Sequence, residues 1–283
     1  ALCWSTLWFV LSLGFAFFTI PGVYGPELAA VKRVQFITGY ITELSLSMDN
    51  VFVIALIFTF FKVKAEYQHR VLFWGIIGAL VMRGIMIGIG AAAVHRFEWI
   101  LYFFGAFLLF TGIKMLFIAD EDGVEPEKNP LVKLARRIFP VHDQFDKGNF
   151  TTVINGKRLM TPMAIVLLTV ESTDVVFAVD SVPAIFGVTT DPFIVFTSNM
   201  CAILGLRSLY FVLASAIDFF HYLKYGLALV LAFIGLKMLT VHWVENMWGP
   251  MPAWGPLLVI IAILFFSILA SIIWSDRSVK KSD

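Results

Sequence analysis

Residues 43–61 are Glu43-Leu-Ser-Leu-Ser-Met-Asp-Asn-Val-Phe-Val-Ile-Ala-Leu-Ile-Phe-Thr-Phe-Phe, an apolar run that contains two acidic side chains. Extended back to residue 37, the run reaches the roughly 20 mainly apolar residues that a transmembrane helix needs. A charged side chain at the centre of a bilayer costs roughly 2.5–3.5 kcal/mol, so acids at that depth usually have a function. The stretch therefore predicts a membrane span that carries a functional site.

The composition of the whole chain is that of a membrane protein. Of its 283 residues, 59% are hydrophobic and only 14% are charged, whereas about a quarter of a soluble domain is charged. The mean hydropathy is +0.86. The formal net charge of +1 indicates no basic surface that would bind nucleic acid. The expected partner is therefore membrane lipid. Cys3 and Cys201 lie in apolar runs, which predicts neither a disulfide framework nor a metal motif.

Long apolar runs predict an all-α, polytopic membrane helical bundle of about eight spans. The predicted spans are roughly 2–20, 37–61, 71–94, 98–118, 162–188, 193–216, 224–241 and 254–274. The polar segment 119–160 is expected to be an extramembrane loop that is partly helical around Leu131–Ile138.

Lysine and arginine predict the orientation of these spans. Fourteen of the 21 lie on the side of the 62–70 loop, the 119–160 loop, the 217–225 turn and the C-terminus, and only Lys32, Arg33 and Arg96 lie on the other. The richer side should be cytoplasmic. We therefore expect a multi-pass protein of the cell (inner) membrane with a cytoplasmic 119–160 loop.

Three landmarks recur in the same order along the chain. They are Asp49 and Asp174, Arg83 and Arg207, and Gly112 and Gly235, at offsets of 125, 124 and 123 residues. The repeat units are residues 37–118 and 161–241, flanked by an N-terminal span and loop (1–36) and a C-terminal span and tail (242–283). Because three spans form a unit, the second unit enters the membrane from the opposite face, which is the inverted repeat of many transporters. The alternative is a chance likeness between apolar sequences.

Six side chains with oxygen ligands lie in or beside these spans: Glu43, Asp49, Asn50, Glu171, Asp174 and Asp180. Such ligands suit magnesium, calcium or manganese better than zinc or copper. Asp49 and Asp174 correspond in the repeat and are the preferred metal ligands, with Asn50 beside Asp49. Glu43, Glu171 and Asp180 have no acidic counterparts, and they could serve proton coupling or gating.

The second acidic segment, residues 171–183, constrains the geometry. Glu171 and Asp174 are three residues apart and share a helix face, whereas Asp180 lies on the opposite face of a straight helix. Pro183 cannot donate a hydrogen bond to the carbonyl of Val179. We therefore expect a helix break at Pro183 that reorients Asp180 and frees that carbonyl as a ligand.

Other polar residues of the spans allow a structural interpretation. Arg83 and Arg207 could pair with the acids and only hold helices together. Ser198 and Asn199 could face the cavity or could hydrogen-bond a neighbouring helix. Lys114 and Lys237, near span ends, are expected to extend towards the membrane surface.

The acidic segments resemble a known family. Residues 43–52, Val170-Glu-Ser-Thr-Asp-Val-Val-Phe-Ala-Val-Asp-Ser-Val-Pro-Ala-Ile-Phe, Thr190-Asp-Pro-Phe-Ile-Val-Phe-Thr-Ser-Asn and Gly205-Leu-Arg-Ser-Leu-Tyr-Phe are similar to the signature segments of the TerC family, especially its Alx-like members. The resemblance implies a carrier related to LysE-type exporters and associated with manganese efflux and tellurium resistance. It places the family's acidic motif on Asp49, Asp174 and Asp180. Similar proteins carry a further N-terminal span, and the chain begins with alanine, so we expect that it was trimmed.

The sequence as a whole favours a divalent-cation exporter, with Mn²⁺ as the transported ion, that works by alternating access. No catalytic triad, phosphate-binding loop or zinc motif is present, so neither an enzyme nor a bound cofactor is expected. The alternatives are a non-transporting protein of membrane biogenesis or of metal and tellurite stress resistance, and an amino-acid exporter with a wider pocket. The coupling ion and the oligomeric state stay open.

Overall fold

The computed structural model describes most of the chain. The described residues are 2–117, 132–133, 137, 140–142, 144, 146, 148–154, 156–213, 223–249 and 252–279. Within these ranges, only the backbone is described at residues 2, 207–209, 211–213, 248 and 274–279.

The structure is a bundle of long helices. They are α1 (Leu2–Gly14), a π-helical turn (Phe15–Thr19), α2 (Ile20–Phe60), α3 (Ala65–Arg96), α4 (Trp99–Phe117), α5 (Pro162–Phe186), α6 (Pro192–Leu213), α7 (Leu223–Trp248) and α8 (Trp254–Val279). Among the described residues, six helical segments are long and apolar enough to cross a membrane. The predicted all-α, multi-pass membrane fold is therefore confirmed.

The N-terminal helical segment reverses direction at Gly25. Gly25 has φ 73° and ψ 169°, a left-handed conformation that favours glycine, and Pro26 restarts the helix. Residues at equal distances on either side meet, since the ring centroids of Phe9 and Tyr40 are 6.2 Å apart and those of Phe15 and Phe36 are 5.4 Å apart. The segment is thus an antiparallel helical pair. The prediction of a loop between the first two spans, at residues 21–36, is wrong, because only Gly25 leaves the helical conformation there.

Helices α4 and α7 pack backbone to backbone through glycines. A Cβ atom on Gly112 would lie 2.7 Å from the carbonyl oxygen of Ala228, and one on Gly235 would lie 2.6 Å from that of Gly105. In the predicted repeat, Gly105 corresponds to Ala228 and Gly112 to Gly235. Exchanging the two halves therefore exchanges these two contacts, as a twofold relation requires, although the inverted repeat itself stays a prediction.

We expect Gly112→Ala to destabilise the protein by about 1–3 kcal/mol, because its methyl group would meet backbone atoms that cannot move aside. Gly88→Ala in α3 is the matched control, since a Cβ atom there meets nothing within 4 Å. Thermal unfolding in detergent should show a lower midpoint for Gly112→Ala alone. Equal midpoints for the two variants would contradict close α4–α7 packing.

The polar segment before α5 contains a β-hairpin that the sequence analysis did not predict. Strands β1 (Thr151–Ile154) and β2 (Lys157–Met160) pair antiparallel around a turn in which Gly156 has φ 74°. Of the helix predicted at 131–138, residues 132, 133 and 137 are helical and the others lie outside the described residues. Arg70 donates hydrogen bonds to the carbonyl of Gly148 and the side chain of Asn149, both at 3.2 Å. The segment before the hairpin thus lies beside the start of α3, as the predicted sidedness requires.

Asp191 joins the turn at Gly25 to the loop between α5 and α6. Its Oδ2 accepts hydrogen bonds from Lys32 at 2.6 Å and from the Tyr24 hydroxyl at 2.7 Å, while its Oδ1 caps α6 by accepting from the Phe193 N–H at 3.1 Å. Burial alone would raise the pKa of the Asp191 carboxyl, but the bonds from Lys32 and Tyr24 outweigh burial and lower the pKa below its usual value.

Because its folded-state pKa is depressed, Asp191 stabilises the fold above its unfolded pKa, and this contribution is lost as pH falls through the folded value. Asp191→Asn keeps the helix cap but removes the charge, so we expect it to cost less than about 1 kcal/mol at neutral pH, since the pair is partly solvated. The unfolding midpoints of the wild type and the variant should converge in acid. A difference that persists well below the folded pKa would contradict the charge-based stabilisation.

Candidate functional site

Arg83 of α3 lies at the meeting point of three helices and is only 2% exposed. Its Nη1 is paired with Glu43 Oε1 of α2, and the same nitrogen is 3.2 Å from Ser181 Oγ of α5. Its Nε and Nη2 donate to the two carboxylate oxygens of Asp174 in α5, at 3.4 and 3.2 Å. The guanidinium fork therefore binds one carboxylate with two donors and reaches the other with the third.

Glu43 is almost fully buried, at 1% exposure, and its oxygens have further partners. Oε2 accepts a hydrogen bond from Asn199 Nδ2 of α6 at 2.8 Å, and Oε1 accepts one from Ser47 Oγ at 3.3 Å. A buried carboxylate is tolerated when its charge is paired and its lone pairs are satisfied. Glu43 thus joins α2, α3 and α6, and the ion pairing considered for Arg83 in the sequence analysis is present in the structure.

A cavity of about 190 Å³ lies between α2, α4, α5 and α7. Its polar lining consists of Asp49, Asn50, Thr111, Lys114, Asp180 and Ser181, and its apolar lining includes Leu46, Met115, Phe177, Leu227 and Leu231. Since a water molecule occupies about 30 Å³ of liquid, the cavity has room for a partly hydrated cation. Carboxylate, amide and hydroxyl oxygens are the ligands that hard divalent cations prefer.

Ser181 connects the cavity to the buried arginine. Its side chain lines the cavity, and its hydroxyl oxygen lies within hydrogen-bond distance of Arg83. The positive charge of Arg83 therefore lies one side chain away from the cavity wall. A change in the pairing of Arg83 would therefore change the electrostatic potential in the cavity.

Helix α5 presents its acids in two directions. The helix is continuous from Pro162 to Phe186 with Pro183 in its last turn, so the predicted break at Pro183 is wrong. Glu171 and Asp174 both face α3, as their spacing predicts, because the Glu171 carboxylate lies directly against the backbone of Gly78. Asp180 faces the cavity instead. Proline within the last turn leaves a carbonyl without its helical partner and still does not end the helix before Phe186.

The structure divides the predicted ligands into separate groups. Asp49, Asn50 and Asp180 line the cavity, while Glu43 and Asp174 bind Arg83 and Glu171 packs on α3. Among the described residues, no three His, Cys, Asp or Glu side chains come together as a metal-binding group. That Asp49 and Asp174 share one ion therefore stays a prediction.

The predicted supporting residues have distinct positions. Asn199 contacts Glu43, whereas the Ser198 hydroxyl donates to the carbonyl of Ile194 in its own helix at 2.7 Å and packs against Gly39 of α2. The side chain of Arg207 lies outside the described residues. Ser198 thus contributes to helix packing, and Asn199 belongs to the buried polar network.

Three cavity residues were missed as site residues: Thr111, Lys114 and Ser181. The sequence held only weak signals for these residues. Ser181 directly follows Asp180, and Thr111 lies three residues before Lys114 on one helix face. Lys237 was expected to extend to the surface, but its Nζ donates to the carbonyl of Gly187 at 2.9 Å, just after the end of α5.

We expect Arg83→Met to destabilise the protein by about 3–5 kcal/mol, because it leaves the carboxylates of Glu43 and Asp174 buried without a cation. Arg70→Met removes a solvent-exposed arginine that bonds to Gly148 and Asn149 and should cost less than about 1 kcal/mol. Thermal unfolding of the two variants in detergent compares them. Adding Glu43→Gln to Arg83→Met should restore part of the loss, and no restoration would show that the buried charge is not the cause.

Comparison with known proteins identifies a family that matches most of the chain. The family described as "Integral membrane protein TerC family" matches residues 28–279. No solved structure matches the chain.

The chain is also similar to several curated proteins. It is 51% identical over 281 residues to "Uncharacterized membrane protein STKORF319" of Myxococcus xanthus, covering 98% of this chain and 84% of that protein. It is 50% identical over 244 residues to "Putative membrane-bound redox modulator Alx" of Escherichia coli (strain K12), covering 85% of this chain and 76% of that protein. The protein of that name in Photorhabdus laumondii is 42% identical over 280 residues, covering 98% of this chain and 85% of that protein.

Proposed function

The chain belongs to the TerC family of integral membrane proteins, and on that premise we propose that it is a divalent-cation transporter that exports Mn²⁺ across the inner membrane by alternating access. The observation that carries the proposal is the cavity between α2, α4, α5 and α7, which is lined by Asp49, Asp180 and Asn50. Carboxylates at membrane depth are costly unless they are paired, protonated or hydrated, and in transporters such residues mark the ion pathway.

The ligand chemistry supports a hard divalent ion. The cavity offers carboxylate, amide and hydroxyl oxygens, and no histidine is among the described residues that line it. Mg²⁺, Ca²⁺ and Mn²⁺ all accept such ligands, so the choice of Mn²⁺ comes from the family resemblance. Amino-acid export is less well supported, because the described residues that line the cavity include two carboxylates, Asp49 and Asp180, and one cation, Lys114.

Alternating access is supported by the way the two halves pack. The exchanged contacts of Gly112 and Gly235 agree with two inverted halves that could rock against each other around a shared site. In the proposed cycle, Asp174 leaves Arg83 when the halves rock and joins Asp49 at the ion. Proton return through Glu43 or Glu171 completes the exchange. The work proposed for the chain is transport and not catalysis.

A second candidate function is a membrane protein that transports nothing. The observation that favours it is the pairing of Glu43 and Asp174 with Arg83, which gives these acids a purely structural role. The Escherichia coli and Photorhabdus laumondii relatives carry the words "redox modulator" in their names. Transport by the purified protein separates this candidate from the first.

We expect purified protein in liposomes to move Mn²⁺, and we expect Asp49→Asn and Asp180→Asn each to reduce the initial rate at least tenfold, because each removes a ligand charge from the cavity. Asp174→Asn should also reduce the rate if Asp174 joins the ion during the cycle. The rate is measured with a Mn²⁺-sensitive dye on one side of the membrane.

Asp191→Asn is the matched control, since it removes a carboxylate that is not among the residues lining the cavity and should transport at the wild-type rate. Size-exclusion profiles establish that each variant is folded. Wild-type rates in both Asp49→Asn and Asp180→Asn would remove the proposed site. A folded wild type that moves no divalent cation would favour the second candidate.

A further inference from the structure

Lys114 lies in the last turn of α4 and forms part of the cavity wall opposite Asp180. Thr111, one turn earlier on the same face, lines the cavity together with Asp180, and the Lys114 ammonium is near enough to the Asp180 carboxylate to interact with it electrostatically. This face of α4 is therefore turned towards α5 and not only towards lipid. The lysine is the cation among the residues that line the cavity.

The charges of the cavity explain what such a lysine can do. Asp49 and Asp180 carry two negative charges when ionised, and Lys114 offsets one of them. A bound divalent cation neutralises both carboxylates by itself, and Lys114 then adds a repelled positive charge. The same ammonium thus stabilises the empty cavity and destabilises the filled one.

The counterpart of Lys114 in the second half of the chain has a different task. Lys237 donates to the carbonyl of Gly187 after α5, where the helix dipole favours a cation. The position that corresponds to Asp180 in the first half is Ala55. The lysine and aspartate that face each other across the cavity therefore have no matching pair related by the repeat, because Ala55 stands where the counterpart of Asp180 would be needed, which indicates a role beyond the helix-end role of Lys237.

We propose that Lys114 is a tethered cation that offsets part of the negative charge of the empty site. It thereby keeps the affinity for the transported ion low enough for release. The inference rests on the proposed function and deepens it by naming a residue that sets affinity and release. The ammonium is on a flexible four-carbon stem, so it can withdraw from Asp180 when a divalent ion enters and return when the ion leaves.

Removal of the charge should therefore tighten binding and slow turnover together. For Lys114→Gln we expect an apparent KM for Mn²⁺ about tenfold lower and a maximal rate about tenfold lower, which corresponds to the loss of one repulsion near the ion. Lys114→Arg keeps the charge and should stay near the wild type in both. Lys114→Met keeps the length and apolar stem of the side chain, and it replaces Lys114→Gln if that variant does not fold.

The test measures Mn²⁺ uptake into liposomes over a range of Mn²⁺ concentrations and Mn²⁺ binding to the purified protein by calorimetry. Lys237→Gln is the matched control, because it removes the corresponding lysine outside the cavity and should leave the apparent KM unchanged. An unchanged or raised KM in Lys114→Gln, with or without a lower rate, would overturn the inference and assign Lys114 to the helix end. Equal effects in Lys237→Gln would overturn it too.

The outcomes for the two proposals can be told apart. A wild type that neither binds nor moves Mn²⁺ contradicts the proposed function. A wild type that transports Mn²⁺, with a Lys114→Gln variant of the same KM and rate, contradicts the role of Lys114 and leaves the proposed function intact.

Discussion

The guanidinium of Arg83 has no bulk water around it at its depth in the helix bundle, so its charge must be matched by neighbouring helices. Glu43 from α2 and Asp174 from α5 supply that match, and Asn199 from α6 completes the hydrogen bonding of Glu43. In a medium of low polarity, an unpaired ion costs several kcal/mol, so these helices cannot separate without exposing a charge. The relative positions of α2, α3, α5 and α6 depend on this single cluster.

The cavity can exist because the acids of α2 and α5 are not all used by Arg83. On α5, Asp174 turns towards the arginine while Asp180 turns towards α4, since six residues of helix place them on different faces. On α2, Glu43 binds Arg83 and Asp49 lines the cavity. Each helix thus contributes one acid to Arg83 and one to the cavity, with Ser181 between the two places. This arrangement lets a structural ion pair influence the charge environment of the cavity.

The close glycine contacts between α4 and α7 give the bundle a second constraint of a different kind. Small residues let two backbones approach without hydrophobic driving force, which is the usual way in which helices associate within lipid. This contact holds α4 and α7 together through backbone packing, whereas the pairs of Arg83 join α2, α3 and α5 through charge.

The sequence by itself determined that this protein lies in a lipid bilayer and that acidic side chains lie within its spans. Long apolar runs demand helices in a bilayer, and acids within them, such as Asp49 and Asp180, predict a polar site inside the bundle. Periodicity also gave the shared face of Glu171 and Asp174, because that geometry is local to one helix. The sequence analysis missed the hairpin at Gly25 and the unbroken helix through Pro183. The backbone angles of one glycine, and whether a helix continues past a proline in its last turn, depend on the packing of neighbouring helices. Only the tertiary structure decided which acid meets Arg83 and which meets Lys114, because partners from distant segments are chosen by how the helices pack.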